Sequence, residues 1–487
     1  MQLADQLQEI LRSLSRFGPE LFLVFGIAGL VITDLLLLRQ SPARHRAVML
    51  GLSLLLVVVA GTLVIGQFGQ DSGFLFGSLL FRDEQAIFFK LVVTVAAGVA
   101  VLHASLTRPR LPLDWLPILL ALLLGLYLMT MSVNLLMIYL SIEIVSISSY
   151  LLTALSGTRR ASEGGIKYLL FGAVSSAIML YGISLLYGLT GTLDLTSSLV
   201  EVELAKNSPY VVYLASLLLL VGLFFKLSLV PFHVWTPDVY EATPTPVVSF
   251  FSVAPKAAAL LILMRVLTSL PANFQTPLAV IALASITLGN LSALWQTDAR
   301  RLLAYSTIAH AGFLLVGISA FSEAGFDAAT FYVATYLFIN MAAFLLIDLL
   351  ADAQGGQLTL RSLEGLGFRH PQLALALTVV MVALTGLPPT VGFTAKLLAF
   401  SALWETAQQS GNPWQVALFA IGLLNAILSL FYYLKFPYLL YFRTATGPET
   451  EAAAQPRGAG WLALALTFPI LLFFFRPDWL MTWIAGF

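Results

Sequence analysis

Residues 222–237 read Gly-Leu-Phe-Phe-Lys-Leu-Ser-Leu-Val-Pro-Phe-His-Val-Trp-Thr-Pro, an apolar run that contains Lys226 and, five residues later, Pro231. Proline has no backbone N–H and ends a helix, so Pro231 frees the carbonyl oxygen of Leu227. Free carbonyls at membrane depth are tolerated only where they line water or protein, and such interrupted helices are typical of transport sites. The stretch therefore predicts a membrane protein with a broken helix beside a buried charge.

The composition of the whole chain agrees with a lipid environment. Of the 487 residues, 59% are hydrophobic and 10% are charged, too few polar groups to cover several soluble domains. The absence of cysteine excludes disulfides, thiolate-bound iron–sulfur clusters and zinc sites built on Cys. The formal net charge is zero and no run of Lys or Arg exceeds two residues, which argues against nucleic acid as a partner. We expect the lipid bilayer as the surroundings, and no metal.

Apolar stretches of roughly 20 residues, enough to cross a hydrocarbon core, occur fourteen times in the sequence. They are 20–38, 47–67, 86–106, 114–133, 134–155, 167–190, 209–231, 245–270, 274–295, 302–322, 328–351, 372–404, 414–442 and 459–475. The twelfth contains Pro388 and Pro389, which predict a second interruption. We therefore expect an all-α polytopic membrane protein of about fourteen transmembrane helices, with helices 7 and 12 broken.

The basic residues of the loops predict the orientation. With the N-terminus outside, fourteen Lys and Arg residues fall on the inner side and six on the outer side, as the usual cytoplasmic excess requires. An error of one helix in the middle of the chain would invert every later loop and destroy this bias. We expect a multi-pass protein of the inner (plasma) membrane of the cell, with both termini on the outer side.

Five lysines lie within the apolar stretches, whereas every arginine lies at a boundary or in a loop. The five lysines are Lys90, Lys226, Lys256, Lys396 and Lys435. Lysine, unlike arginine, can lose its proton when it is desolvated. Lys90 and Lys435 lie near helix ends, where we expect the long side chain to reach the headgroups. The other three are deeper and lie beside helix breakers, which indicates a proton relay.

Glu143 lies in the middle of the fifth stretch, where an unpaired carboxylate costs roughly 3 kcal/mol. It therefore needs a partner, and Lys226 is the nearest candidate by depth. A proton path and a structural salt bridge in a bent helix both remain open for this pair. Lys256 follows Pro255 and precedes small residues that let another helix approach closely.

Two histidines are secondary candidates for the path. His233 lies in the polar segment 232–246, which carries Asp238 and Glu241 but no Lys or Arg. This segment fits either a proton entry or a capped turn, and its histidine fits either a titrating group or a hydrogen-bonded one. His310 lies within the tenth stretch, where we expect it to line an aqueous path.

The second half of the chain also combines a broken helix with a lysine in an apolar stretch, because Lys396 follows the Pro388-Pro389 interruption. The seventh and twelfth stretches are five helices apart, so two five-helix units would run in opposite directions, as in transporters with inverted repeats. In that register Ser306 stands where the first half has Glu143. We divide the chain into helices 1–3, two repeats and a C-terminal loop with helix 14. The bounds are 1–110, 111–270, 271–443 and 444–487.

Six motifs between residues 134 and 400 are specific in combination. They are EIVSISSYLL (143–152), EGGIKYLLFGA (163–173), PFHVWTPDVYEATPTPV (231–247), GNLSALWQ (289–296), RLLAYSTIAHAGF (301–313) and GLPPTVGFTAK (386–396). With them the chain resembles the N-type (mitochondrial subunit 2-like) antiporter-like subunit of proton-pumping NADH:quinone oxidoreductase, respiratory complex I. Subunits of the M and L types and of multisubunit sodium/proton antiporters share the Glu and Lys positions, but residues 231–247 are more similar to the N type.

The resemblance implies a proton-translocating subunit in which Glu143 and Lys226 form a modulating pair, Lys256 is the central relay and Lys396 passes charge onward. It implies small membrane subunits on one side of the chain and another antiporter-like subunit on the other. FMN, iron–sulfur clusters and quinone would belong to other chains, so this one carries no cofactor. A cation/proton antiporter subunit that is not coupled to redox chemistry, and a scaffold that does not conduct, remain alternatives.

Overall fold

The computed structural model describes residues 2–107, 111–270, 273–352, 359–444 and 458–487, nearly all of them helical. The helices up to residue 230 are α1 (Gln2–Arg16), α2 (Gly18–Leu37), α3 (Pro42–Ile65), α4 (Glu84–Thr107), α5 (Trp115–Met131), α6 (Leu135–Ala154), α7 (Arg159–Thr190), α8 (Ser198–Ala205) and α9 (Pro209–Leu227). The later ones are α10 (Trp235–Ala242), α11 (Thr245–Phe251), α12 (Ala254–Ser269), α13 (Gln275–Leu294), α14 (Ala299–Ser319), α15 (Glu323–Asp352), α16 (Leu366–Arg369), α17 (Pro371–Thr385), α18 (Val391–Ser410), α19 (Pro413–Tyr433), α20 (Lys435–Phe442), α21 (Ala459–Phe475) and α22 (Asp478–Ile484).

Strands are confined, in the described ranges, to one antiparallel hairpin between α3 and α4. Strand β1 (Gly73–Leu75) pairs with β2 (Leu80–Arg82), so that Phe74 lies opposite Phe81. A 3-10 turn, Leu360–Leu363, precedes α16. The fold is therefore the all-α class that the apolar stretches predict.

Eleven helical segments of the described chain are long and apolar enough to cross a membrane, or twelve if α21 and α22, bent by 84°, form one span. Each of the fourteen predicted stretches coincides with a helix or a helix pair. The shorter apolar helices are α5 and α17, with 17 and 15 residues. The polytopic membrane fold is confirmed, whereas the number fourteen stays a prediction.

Both predicted helix breaks are present. Between α9 and α10 the chain leaves the helix at Ser228, with φ 61°, and between α17 and α18 it does so at Gly386, with φ 85°. Each break contains a cis prolyl bond, before Pro231 and before Pro389. Helices 7 and 12 of the sequence prediction are therefore interrupted where the prolines indicate.

The most buried helices form the centre of the bundle. The apolar part of the segment made of α11 and α12 is fully buried, and those of α14 and α15 are nearly so, whereas only a third or less of the apolar parts of α2, α3 and α7 is buried. Helix α12 packs against α4, α5 and α9, and α15 packs against α14, α17 and α18. Lysines on α12 and α18 are thereby placed inside the bundle rather than at its lipid-facing surface.

The division into one three-helix unit and two inverted repeats stays a prediction, as does the placement of both termini outside. The boundaries at 110 and 271 and much of the last unit's loop lie outside the described residues. The same is true of three inner-side arginines that support the orientation: Arg108, Arg110 and Arg457.

Candidate functional site

The carbonyl that the first break sets free has a buried partner. Lys256 Nζ donates a hydrogen bond of 2.6 Å to the Leu227 carbonyl oxygen, and Lys256 is only 2% exposed. It lies in the first turn of α12, where three alanines follow and let α12 pack against α9. The expected free carbonyl of Leu227 is confirmed, and the ammonium of Lys256 caps the end of α9.

Lys226 is a buried charge and Glu143 a partly buried one, and the two do not form a direct ion pair in the described chain. Lys226 is 2% exposed, and neither its Nζ nor Oε1 of Glu143 forms a hydrogen bond within the described chain. The two side chains are not within the 4.0 Å of an ion pair, although the charge of Glu143 acts on Lys226. A direct structural salt bridge between them is therefore not supported, and water can bridge the gap.

The second break is capped by a lysine of the same broken helix. Lys396 on α18 donates from Nζ to the carbonyl oxygens of Leu384, at 3.0 Å, and Thr385, at 2.7 Å. Its ammonium also lies 4.6 Å from the centre of the Phe313 ring, a favourable cation–π distance. A cavity of about 310 Å³ between α18 and α19, with chiefly apolar walls, reaches this lysine. Lys396 therefore combines a carbonyl cap with access to open space.

His310 lies at the centre of a cluster of hydroxyl groups. Its Nδ1 is 2.8 Å from the Tyr332 hydroxyl and its Nε2 is 3.1 Å from that of Tyr433, which in turn contacts Ser306 Oγ at 2.5 Å. The Leu384 carbonyl, which accepts from Lys396, also lies beside the imidazole. His310 thus faces hydroxyls and Lys396, with no carboxylate partner in the described chain.

Sequence reasoning missed the tyrosines of this cluster. A tyrosine within an apolar stretch is most often a core residue, and no spacing in the sequence connects Tyr332 or Tyr433 to His310. Ser306 contacts Tyr433, so the position that the predicted register matches to Glu143 carries a hydroxyl within this cluster.

The acidic segment after the first break is neutralised by cations from other helices. Asp238 accepts from Lys167 and Arg301, each at 2.9 Å, and Glu241 accepts from Arg301 at 2.9 Å. Of the two interpretations of segment 232–246, these contacts favour the capped turn. His233 lies within the break and is partly exposed, and its Nδ1 has no partner among the described groups.

The expectation that Lys90 reaches the headgroups is wrong. Lys90 is completely buried and forms an ion pair of 2.5 Å with Glu20 on α2, which is also completely buried. The ring of Tyr127 lies 5.6 Å from the ammonium. A partner on a neighbouring helix removes the need to reach water, and this pairing across 70 positions is invisible to sequence periodicity. Lys435 is partly exposed at the junction of α19 and α20, and its reach to the headgroups stays a prediction.

Comparison with known proteins gives a consistent family assignment. Residues 132–424 match the transmembrane family described as NADH:quinone oxidoreductase/Mrp antiporter. NADH-quinone oxidoreductase subunit N 2 of Sorangium cellulosum (strain So ce56) is 38% identical over 96% of each chain. A chain of respiratory complex I from Thermus thermophilus superposes with a TM-score of 0.79 and 30% identity, over 95% of this chain and 98% of the other. A chain of the membrane-bound sulfane sulfur reductase, an archaeal respiratory membrane complex, gives 0.82 and 25%, over 96% of each.

Proposed function

The chain belongs to the NADH:quinone oxidoreductase/Mrp antiporter family, and from this premise we propose that it moves protons through its buried lysines. Its relatives are N subunits of NADH-quinone oxidoreductase, so it is a multi-pass subunit of a membrane arm. The proton path would use Glu143, Lys226, Lys256 and Lys396, with His233 and His310 as secondary groups. The redox reaction and its FMN, iron–sulfur clusters and quinone would belong to other subunits.

The observation that carries this proposal is the capping of both broken helices by lysine. Free carbonyls favour a charged ammonium over a neutral amine because only the ammonium keeps three donors. Burial favours the neutral amine. The two opposing effects make the protonation state of Lys256 and Lys396 sensitive to the charges around them. Arginine could provide the same caps but could not release a proton.

We infer an order of transfer that is compatible with these contacts. Glu143 acts on Lys226 through space, so a change in its charge would alter the proton affinity of Lys226. At the end of α9, Lys256 donates to the carbonyl oxygen of Leu227, the residue after Lys226, so the two lysines are joined through one backbone position. In the second half, His310 shares the Leu384 carbonyl with Lys396. A proton would pass from the Lys226–Lys256 pair towards His310 and leave through Lys396.

The exposed surface of both breaks also indicates contact with partner subunits. Pro231 and Val234 in the first break and Pro388 and Pro389 in the second are exposed on the surface of the chain. Irregular backbone at membrane depth is covered by protein or water rather than by lipid. We therefore infer that neighbouring membrane subunits, including small ones and a second antiporter-like subunit, cover the two breaks.

The test uses the assembled complex reconstituted into vesicles. Lys396→Met keeps the length of the side chain and removes its charge, so we expect fewer protons moved per electron, or slower turnover of both if the steps are obligatorily coupled. Lys206→Met is the matched control, because Lys206 is solvent-exposed and its ion pair in the described part of the chain is with the nearby Glu203. An unchanged ratio and rate for Lys396→Met, at full occupancy of the subunit, would favour the scaffold alternative.

A further inference from the structure

A second group of polar atoms is buried between α4, α10 and α15, away from the lysines. Five of its side-chain atoms are buried without a well-formed hydrogen bond in the described chain: His103 Nδ1, Tyr240 Oη, Thr243 Oγ1, Asn340 Nδ2 and Asn340 Oδ1. An unsatisfied polar atom in an apolar interior costs free energy, which a bound water removes when the site is polar. The proton path through the lysines uses none of these atoms.

The group begins at an acid–histidine pair near the predicted inner side. Asp348 on α15 lies 3.0 Å from His103 Nε2 on α4 and accepts a hydrogen bond of 2.9 Å from Thr245 on α11. The His103 side chain is completely buried, whereas that of Asp348 is 13% exposed. Asp352, one helical turn further on, is exposed. The pair therefore lies at a partly open mouth where three helices meet.

Helix α15 continues the group into the membrane. Tyr332, Tyr336 and Asn340 follow one another at intervals of four residues, and Asp348 is eight residues further on, so they lie along a stripe that winds around α15 by about 40° for every four residues. At a rise of 1.5 Å per residue the stripe extends about 24 Å from Asp348 to Tyr332. Tyr332 contacts His310, so the stripe joins the mouth to the second-half cluster.

Only the Phe344 position interrupts this stripe, and Tyr240 of α10 fills the gap. The two rings have centroids 6.0 Å apart, and the Tyr240 hydroxyl lies beside that of Thr307 without a well-formed hydrogen bond to it. Thr307 Oγ1 accepts from the Tyr336 hydroxyl at 3.3 Å. Polar groups therefore continue from α10 to α15 past the phenylalanine.

We propose that this stripe, from Asp348 and His103 past Tyr240 and Asn340 to Tyr332, is a hydrated inlet that carries protons from the inner side to His310. The inference rests on the proposed function, since it supplies the second half with protons. Each hydroxyl or water in the inlet accepts one proton and passes on another, so no group changes its net charge after a transfer. Asn340 does not transfer protons but holds the water that does.

The first test measures water access without measuring pumping. The chain has no cysteine, so Asn340→Cys gives one thiol in this subunit, and mass spectrometry of the subunit reports its modification within the whole complex. A small cationic methanethiosulfonate reagent is added to vesicles whose inner face is exposed. We expect modification about tenfold faster than for Ala342→Cys on the opposite side of α15, because a thiolate forms only where water reaches. Equal rates would overturn the inlet.

The second test measures whether turnover depends on the inlet. Thr243→Val and Thr335→Val make the same isosteric change at two buried positions, one nearer the predicted inner side of the membrane and one nearer the predicted outer side. The Thr243 hydroxyl has no hydrogen bond in the described chain, whereas the Thr335 hydroxyl donates to carbonyls of its own helix. We expect Thr243→Val and Asn340→Leu to slow turnover by roughly threefold and Thr335→Val to leave it unchanged. Wild-type turnover in Thr243→Val and Asn340→Leu, together with a lowered proton ratio in Lys396→Met, would overturn the inlet alone. An unchanged Lys396→Met would overturn the proposed function, whatever the cysteine labelling shows.

Discussion

The two helix breaks satisfy their free carbonyls in different ways. At the first, Lys256 comes from a separate helix to cap Leu227, which leaves Lys226 without a hydrogen-bond partner in the described chain. At the second, Lys396 belongs to the broken helix itself and caps two of its carbonyls. At the first break, one lysine caps the backbone and another is a buried ammonium without a hydrogen-bond partner in the described chain. At the second break, a single lysine is both the cap and the buried ammonium.

This difference distinguishes the structural role of the buried lysines from their proposed role in proton transfer. Lys226 has no capping role in the described chain, so the role we propose for it is to carry charge, whereas Lys396 holds the backbone in addition to its proposed role in transfer. In the predicted register, the first half has a carboxylate, Glu143, where the second has Ser306 and its neighbour Tyr433. We infer that charge in the first half is adjusted by a carboxylate, and in the second half by the ammonium itself and the hydroxyl cluster.

The largest effect should come from Lys226→Met. The substitution removes the unpaired ammonium and keeps the bond between Lys256 and Leu227, so the complex should assemble while coupled turnover falls by about tenfold or more. Turnover and subunit content are measured on the same purified complex. A variant that fails to assemble would show that Lys226 is structural, and the division of tasks at the first break would then be wrong.

A smaller effect is expected from Glu143→Gln, which keeps the shape of the side chain and removes its charge. Lys226 then loses the charge that acts on it, so pumping and coupled electron transfer should fall by roughly threefold to fivefold with the complex assembled. Ser306→Ala is the matched change in the second half, and it should alter turnover less because His310 keeps its contacts with Tyr332 and Tyr433. Equal losses in both halves would remove the proposed contrast.

The smallest effect concerns the left-handed residue of each break. A Cβ at Gly386 would lie 2.7 Å from Cδ of Lys396, and a φ of 85° disfavours any side chain. Gly386→Ala should therefore displace the ammonium and reduce turnover by about twofold, with a strain of roughly 1 kcal/mol. Ser228→Gly at the first break removes a side chain from the same conformation and should be neutral. Turnover that stays at the wild-type level in Gly386→Ala would show that the position of Lys396 is not critical.

Much of the architecture could be predicted because proline chemistry and apolar length are local. Pro231 located the first break and the free carbonyl of Leu227, and Pro388 and Pro389 located the second. The partners of the free carbonyl and of the buried lysine could not be predicted. Lys256 lies 29 positions from Leu227, and Glu20 lies 70 positions from Lys90. Such pairs form through tertiary packing, which leaves no periodic trace in one sequence.

The number of membrane crossings could not be fixed from the sequence either. Helix α5 is shorter than a typical span, and α17 and α18 divide one stretch between them, so apolar length alone does not decide where each crossing begins and ends.

The most direct test of proton transfer through buried lysine is the proton-to-electron ratio of Lys256→Arg, measured in vesicles that contain the complete complex. Arginine keeps the positive charge and can still donate to the Leu227 carbonyl, but it does not release its proton in the working range. If Lys256 is a relay, the ratio should fall, or both fluxes should slow together, in a fully assembled complex. A ratio and rate equal to wild type would contradict the account and show that Lys256 is only an electrostatic cap.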